Sequence, residues 1–96
     1  MARKVNWSES AWKDLEDTLD YIAKDSPFYA AAFAQEVLEA SQTLRDLSDR
    51  GRMIPEFNRT DLRELFIRRY RLMYEINQDS VFIIALIHGA MDFRAN

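Results

Sequence analysis

The chain has 96 residues, of which 48% are hydrophobic and 30% charged, and this composition excludes an intrinsically disordered protein. This length predicts one domain over residues 1–96. The sequence has no cysteine and one histidine, which excludes disulfides and cysteine-ligated metal sites, so we expect no cofactor. The first residues lack the apolar stretch of a signal peptide, and the longest apolar run, 81–87, is too short to span a bilayer. We therefore expect a cytoplasmic protein without membrane contact.

The net charge of −3 is distributed unevenly along the chain. Residues 8–48 carry nine acids against three bases, whereas residues 49–96 carry seven acids against eight arginines. Seven of these arginines lie between Arg50 and Arg71. Two interpretations are open at this point: a solvated surface, or a face that meets phosphate or an acidic protein surface. A generic nucleic-acid-binding domain is disfavoured, because such domains are usually strongly basic.

The first part of the chain predicts a short strand and a helix. Residues 4–7 form the strand, and Ser8 or Ser10 is placed to cap the helix that follows. Apolar residues then recur at three- and four-residue steps as far as Ile22, which is the pattern of a helix with one buried face. Acidic residues crowd the early turns, where they complement the helix dipole.

A second helix is predicted after a short break. Pro27 suits a first helical turn and disfavours helix in the residue before it, so Ser26 is the predicted cap. An apolar stripe from Ala30 to Leu47 predicts about five to six turns, at about 3.6 residues per turn. We expect Gly51 to end this region in the left-handed conformation. The short link between the helices predicts an antiparallel hairpin.

The second half of the chain predicts three strands. In chain order we expect a loop over 53–61, a strand over 62–67, a tight connection at 68–69, a strand over 70–76, a turn at 77–79 and a strand over 81–88. The last run is apolar throughout, so it is predicted to be buried on both faces. The predicted order is β-α-α-β-β-β. This is an α+β fold in which the helical hairpin covers one face of a small, twisted, mainly antiparallel sheet and leaves the other face or an edge partly open.

Four short motifs follow one another in this half. They are a glycine-arginine and proline loop, an Arg-Glu-Leu strand, a strand with Tyr-Arg and a second tyrosine, and a His-Gly end, at residues 51–57, 62–65, 70–74 and 85–92. In this order they resemble the toxins of the RelE/ParE superfamily, and residues 15–23 resemble the first helix of that family. The resemblance covers nearly the whole chain. It implies a compact fold with a helical hairpin on a twisted sheet.

The resemblance also implies a partner. Such toxins belong to type II toxin–antitoxin systems and are neutralised by a cognate antitoxin, whose flexible tail folds on binding to give a hetero-oligomer. The helical hairpin and the exposed sheet face are the candidate docking surfaces. ParE-type members inhibit DNA gyrase, whereas RelE-type members are ribosome-dependent endoribonucleases that cut mRNA.

A metal-independent ribonuclease of this kind needs a base, an acid and cations for the charge of the transition state. The resemblance makes Arg63, Arg71 and His88 the candidate catalytic residues. Each also has a plain structural interpretation: His88 as a surface or packing residue, and Arg71 as an ion-pair partner of Glu64 or Glu75. Tyr70 and Tyr74 are more often packing aromatics than acids.

The tail of the chain favours the gyrase hypothesis. Relatives often carry two arginines after the His-Gly pair, where this chain has Ala90 and Met91, and Arg94 is the one base that follows. A sequence pI of about 5.1 also disfavours docking into the ribosome, because counterion release drives such binding. We therefore expect a ParE-type inhibitor of gyrase. The alternatives are a ribosome-dependent endoribonuclease and an antitoxin-binding homologue with weak or lost toxicity.

Overall fold

A computed structural model describes residues 2–91, and in this part of the chain two helices pack on a five-stranded sheet. The elements are β1 (Lys4–Trp7), α1 (Glu9–Ala23), α2 (Pro27–Thr43), β2 (Arg52–Met53), β3 (Leu62–Ile67), β4 (Tyr70–Ile76) and β5 (Ser80–His88). No helix within residues 2–91 has the length and apolar character needed to cross a membrane. The predicted α+β architecture is confirmed.

The helices begin where the sequence predicts and α2 ends early. The hydroxyls of Ser8 and Ser26 each accept a hydrogen bond from a free amide of the first helical turn, at 3.0 and 3.1 Å. The apolar stripe continues past Thr43, but the Leu44 amide bonds three residues back, to the Ser41 carbonyl, which tightens and ends the helix. The prediction of a left-handed Gly51 is wrong, since no glycine in the described chain has a positive φ.

The sheet joins the two ends of the described chain. Its strand order is β1-β5-β4-β3-β2, in which β2 to β5 pair antiparallel and β1 pairs parallel with β5. The short strand β2 lies partly where a loop was predicted, because two residues are too few to show strand alternation. The tight connection at 68–69 and the turn at 77–79 are confirmed.

The helical hairpin covers one face of the sheet, as predicted, and the main core lies between them. The largest fully buried side chains on this side are those of Phe33, Val37, Leu44, Leu72, Tyr74, Val81 and Ile83. Burial of an apolar side chain of this size stabilises the fold by about 1.5–3 kcal/mol.

The opposite face, called the open face below, has a smaller core. It is built on Ile54, Leu62, Met73 and Ala85. Phe66 and Phe82 remain 52% and 37% exposed, so the prediction that the last strand is buried on both faces is wrong at Phe82. The cause is that both helices lie on the other side of the sheet, and the loop after β2 covers only part of this one.

Candidate functional site

The three candidate catalytic residues lie on two different faces of the sheet. Arg63 pairs in register with Tyr74, and His88 with Tyr70, and both tyrosines pack with the main core beneath the helices. Arg71 lies between these tyrosines in β4, so its side chain points to the open face. Along β4, the positions opposite Arg63 and His88 are four residues apart, about 13 Å at 3.3 Å per residue. The structure does not bring the three side chains together.

Arg71 is held in a buried ion-pair network. It is 4% exposed, and its Nε donates to Glu64, itself 1% exposed, at 2.6 Å. Its two terminal nitrogens donate to the Glu56 carboxylate at 2.9 and 2.7 Å, and Nη1 also donates to the carbonyl of Met91 at 2.8 Å. The second oxygen of Glu64 accepts from Nε of Arg52 at 2.6 Å. Two arginines thus face two glutamates across the open face.

This network leaves Arg71 unsuited to bind a phosphate. Its charge is balanced by carboxylates, and four of its five N–H donors are directed to protein oxygens. Hydrogen bonding to Glu56, followed by hydrogen bonding to Glu64, raises the pKa of the Arg71 guanidinium against the opposing effect of burial. The ion-pair interpretation is therefore confirmed with Glu64, whereas Glu75 lies instead 3.8 Å from Arg59.

The other two candidates bond to nearby backbone. Arg63 donates from Nε to the Thr60 carbonyl at 3.0 Å and from Nη1 to the Gly51 carbonyl at 2.9 Å. These bonds tie the loop after β2 and the residue before β2 to β3. His88 is exposed, and its Nδ1 accepts a hydrogen bond from the amide of Ala90 at 3.2 Å. The His88 ring also meets the Tyr70 ring edge to face, at a centroid distance of 5.6 Å.

Gly51 and Tyr74 form a second structural contact. The fully buried Tyr74 hydroxyl donates to the Ser48 carbonyl at 2.7 Å and accepts from the Gly51 amide at 2.9 Å. Burial raises the pKa of this hydroxyl above its usual range, so it remains protonated and able to donate. A Cβ on Gly51 would lie 2.5 Å from the carbonyl oxygen of Glu64. Close approach of the backbone, and not a left-handed turn, is what requires glycine here.

A groove lies between α1 and the end of β5, and is called the α1–β5 groove below. It has a volume of about 480 Å³ and is lined on one side by Ser10, Asp14, Asp17 and Thr18, and on the other by residues 84–88, with Tyr70 and Met91. Asp14 crosses it, because one of its carboxylate oxygens accepts a hydrogen bond from the backbone amide of Leu86 at 3.1 Å.

Comparison with known proteins places the chain in a family. Residues 5–93 match the family model described as the ParE toxin of type II toxin–antitoxin systems, parDE. The chain belongs to the ParE toxin family. The predicted resemblance to RelE/ParE toxins is thereby confirmed, and family membership supports a cognate antitoxin as partner.

Two solved structures share the fold of this ParE-family chain. The chromosomal ParDE toxin–antitoxin system of P. aeruginosa gives a TM-score of 0.74 at 18% identity, covering 91% of this chain and 96% of that one. A conserved hypothetical protein of Helicobacter pylori, HP0894, gives a TM-score of 0.53 at 17% identity, covering 92% and 94%. A search of curated proteins gave no match.

Three of the four motifs of this ParE-family chain contain residues that make structural contacts. Gly51, Glu64, Arg71 and Tyr74 hold strands and loops in register. The sequence did not reveal that Glu56 is the second partner of Arg71, since it lies in a loop without periodic pattern. It also did not reveal the α1–β5 groove, because acids in the early turns of α1 are explained equally well by the helix dipole.

Asp14 of this ParE-family protein makes the fold sensitive to pH. Burial is the main cause that raises the pKa of its carboxyl above 3.8, the charge of Asp17 adds to it, and the Leu86 amide opposes it. The folded state therefore binds the proton more tightly than the unfolded state, and Asp14 lowers the free energy of unfolding as pH rises above this value.

We expect Asp14→Asn to increase the free energy of unfolding at pH 7, by a small amount because Asp14 is only partly buried. The amide oxygen of asparagine still accepts from Leu86, and the gain should vanish below the ordinary carboxyl pKa. Urea denaturation at pH 7 and pH 3 measures the gain in the free energy of unfolding and its loss at low pH. Glu16→Gln, on the exposed side of α1, is the control. A gain that persists unchanged at pH 3 would contradict the assigned cause.

Proposed function

We propose that this ParE-family toxin acts in the cytoplasm by binding DNA gyrase, without catalysis of its own, and that its cognate antitoxin neutralises it. The observation that carries the proposal is the burial of Arg71 in ion pairs. A ribonuclease would need this cation for the charge that develops on the scissile phosphate. Here Arg71 is buried against two carboxylates and hydrogen-bonded to a backbone carbonyl.

The positions of the other two candidates support the same proposal. General acid–base catalysis needs groups within hydrogen-bond reach of one substrate atom. Arg63 and His88 oppose β4 positions four residues apart, and Arg71 lies on the other face of the sheet. A single phosphate therefore has no common position among the three. Catalysis by these residues remains the alternative hypothesis.

The test combines two assays on one preparation of purified toxin. We expect wild-type toxin to inhibit supercoiling by gyrase, and to leave mRNA uncut on translating ribosomes. His88→Ala should retain inhibition within about twofold, because His88 is exposed and holds no ion pair in the described chain. The proposal would be overturned if wild-type toxin leaves gyrase active and cuts mRNA, and if His88→Ala abolishes that cleavage.

A further inference from the structure

Within residues 2–91, part of one edge of β5 is covered by no other strand. β1 pairs only with Ser80–Ile83, whereas β5 continues to His88. After Trp7 the chain turns away, with the Ser8 amide bonded to the Ile83 carbonyl, and enters α1. In the described part of the chain, the outer edge of residues 84–88 therefore faces the α1–β5 groove. An unpaired strand edge is a template for an added strand.

Asp14 occupies the position that the carbonyl of an added strand would take. Its carboxylate accepts from the Leu86 amide, which shows that this amide points into the groove. Since outward-facing amides alternate along a strand, the His88 amide points the same way. A backbone carbonyl of an added strand can replace the Asp14 carboxylate as the acceptor for the Leu86 amide. The carboxylate of Asp14 is then free to pair with another group.

The groove is acidic, so the group that would pair with Asp14 is a cation. Among the residues that the structure describes, those that line the groove include Asp14 and Asp17 and no lysine or arginine. Lys13, on the same helix, pairs with Asp17 at 3.3 Å, where both side chains are mostly exposed, and such a pair contributes little. Tyr70 and the exposed Met91 supply apolar surface, on which the carbon chain of a long cationic side chain can pack.

We propose that the α1–β5 groove binds an extended segment of the antitoxin, which pairs with the edge of β5 at residues 84–88 and places a lysine or arginine between Asp14 and Asp17. The inference rests on the toxin–antitoxin pairing of the proposed function. It adds the conformation of the antitoxin at this surface, the charge of its anchor and the toxin residues that receive it.

The first test measures affinity for the full-length antitoxin encoded beside the toxin gene. The double variant Asp14→Asn with Asp17→Asn should weaken binding at least about tenfold, as expected for a close charge pair at an interface. The matched control is Glu16→Gln with Asp20→Asn, which removes the same charge from exposed positions of the same helix. This control should change affinity less than about twofold.

The second test follows amide hydrogen exchange at Leu86 and His88 in wild-type toxin, free and bound to the antitoxin. Both amides should exchange more slowly in the complex, because the added strand accepts a hydrogen bond from His88 and replaces the partly exposed Asp14 carboxylate as the acceptor for Leu86. Unchanged exchange at His88, or equal weakening by the two double variants, would overturn the inference. Concentration-dependent self-association that the groove variants abolish would assign the edge to a second copy and also overturn it. Failure of wild-type toxin to bind the antitoxin at all would instead refute the proposed function.

Discussion

Replacing Arg71 with alanine is expected to lower the free energy of unfolding by about 3 kcal/mol, the lower end of the range for breaking a buried ion pair, because it removes one of the two arginines that pair with the buried Glu64 and leaves Arg52 as the other. Glu56 loses two hydrogen bonds in the same substitution, and the Met91 carbonyl loses one. For a small domain, a loss of this size is a large fraction of the total stability. Urea denaturation followed by circular dichroism measures it.

Two variants separate loss of the ion pair from other effects. Arg69→Ala, at an exposed position on the same hairpin, should change stability by less than about 0.5 kcal/mol. Adding Glu64→Gln to Arg71→Met should recover part of the loss, because the fully buried charge of Glu64 is then removed and only Glu56, whose side chain is 10% exposed, stays charged beside the methionine. If Arg71→Ala costs no more than Arg69→Ala, the network does not stabilise the fold.

Gly51→Ala is expected to destabilise the protein by about 3 kcal/mol, the upper part of the range for overpacking. The added Cβ would lie 2.5 Å from the Glu64 carbonyl oxygen and 2.6 Å from the Tyr74 hydroxyl. The first contact is with the backbone of a paired strand, which cannot move without disturbing the sheet. Thermal and urea denaturation both report the loss.

Gly89→Ala is the matched comparison for this substitution. Its Cβ would meet the Arg69 carbonyl oxygen at 3.0 Å and the edge of the exposed Phe66 ring at 3.1 Å, so a smaller loss is expected. Adding Tyr74→Phe to Gly51→Ala should not restore stability, because the clash with Glu64 remains and the bond to Ser48 is lost. Recovery in this double variant would show that the hydroxyl, and not the backbone, sets the requirement for glycine.

The sequence predicted the elements whose signals are local. The apolar stripe of α1 and the caps at Ser8 and Ser26 depend on residues three or four positions apart, and both appear as expected. The turn at 68–69 is also a local feature, although Arg68 adopts a φ of 56°, a conformation that favours glycine. Its guanidinium is anchored on α2 by Glu36, in an ion pair that local sequence does not show.

Contacts between distant parts of the chain were predicted less well. The sequence predicted an acidic partner for Arg71 because arginine commonly pairs with carboxylates. That Glu56 is one of the partners depends on how the loop after β2 folds over the open face. The α1–β5 groove depends on where β1 stops pairing, which follows from the turn into α1. Catalytic roles for Arg63, Arg71 and His88 came from motif order, which carries no information on sheet faces.

The parallel pairing of β1 with β5 has a consequence for synthesis of the chain. Residues 4–7 are synthesised long before their neighbours in the sheet, residues 80–83. Contacts between such distant segments slow folding, because the chain must close a long loop before they form. The strand β1 therefore has no place in the sheet until β5 has been synthesised, and a chain interrupted before β5 lacks both this pairing and the amide that binds Asp14.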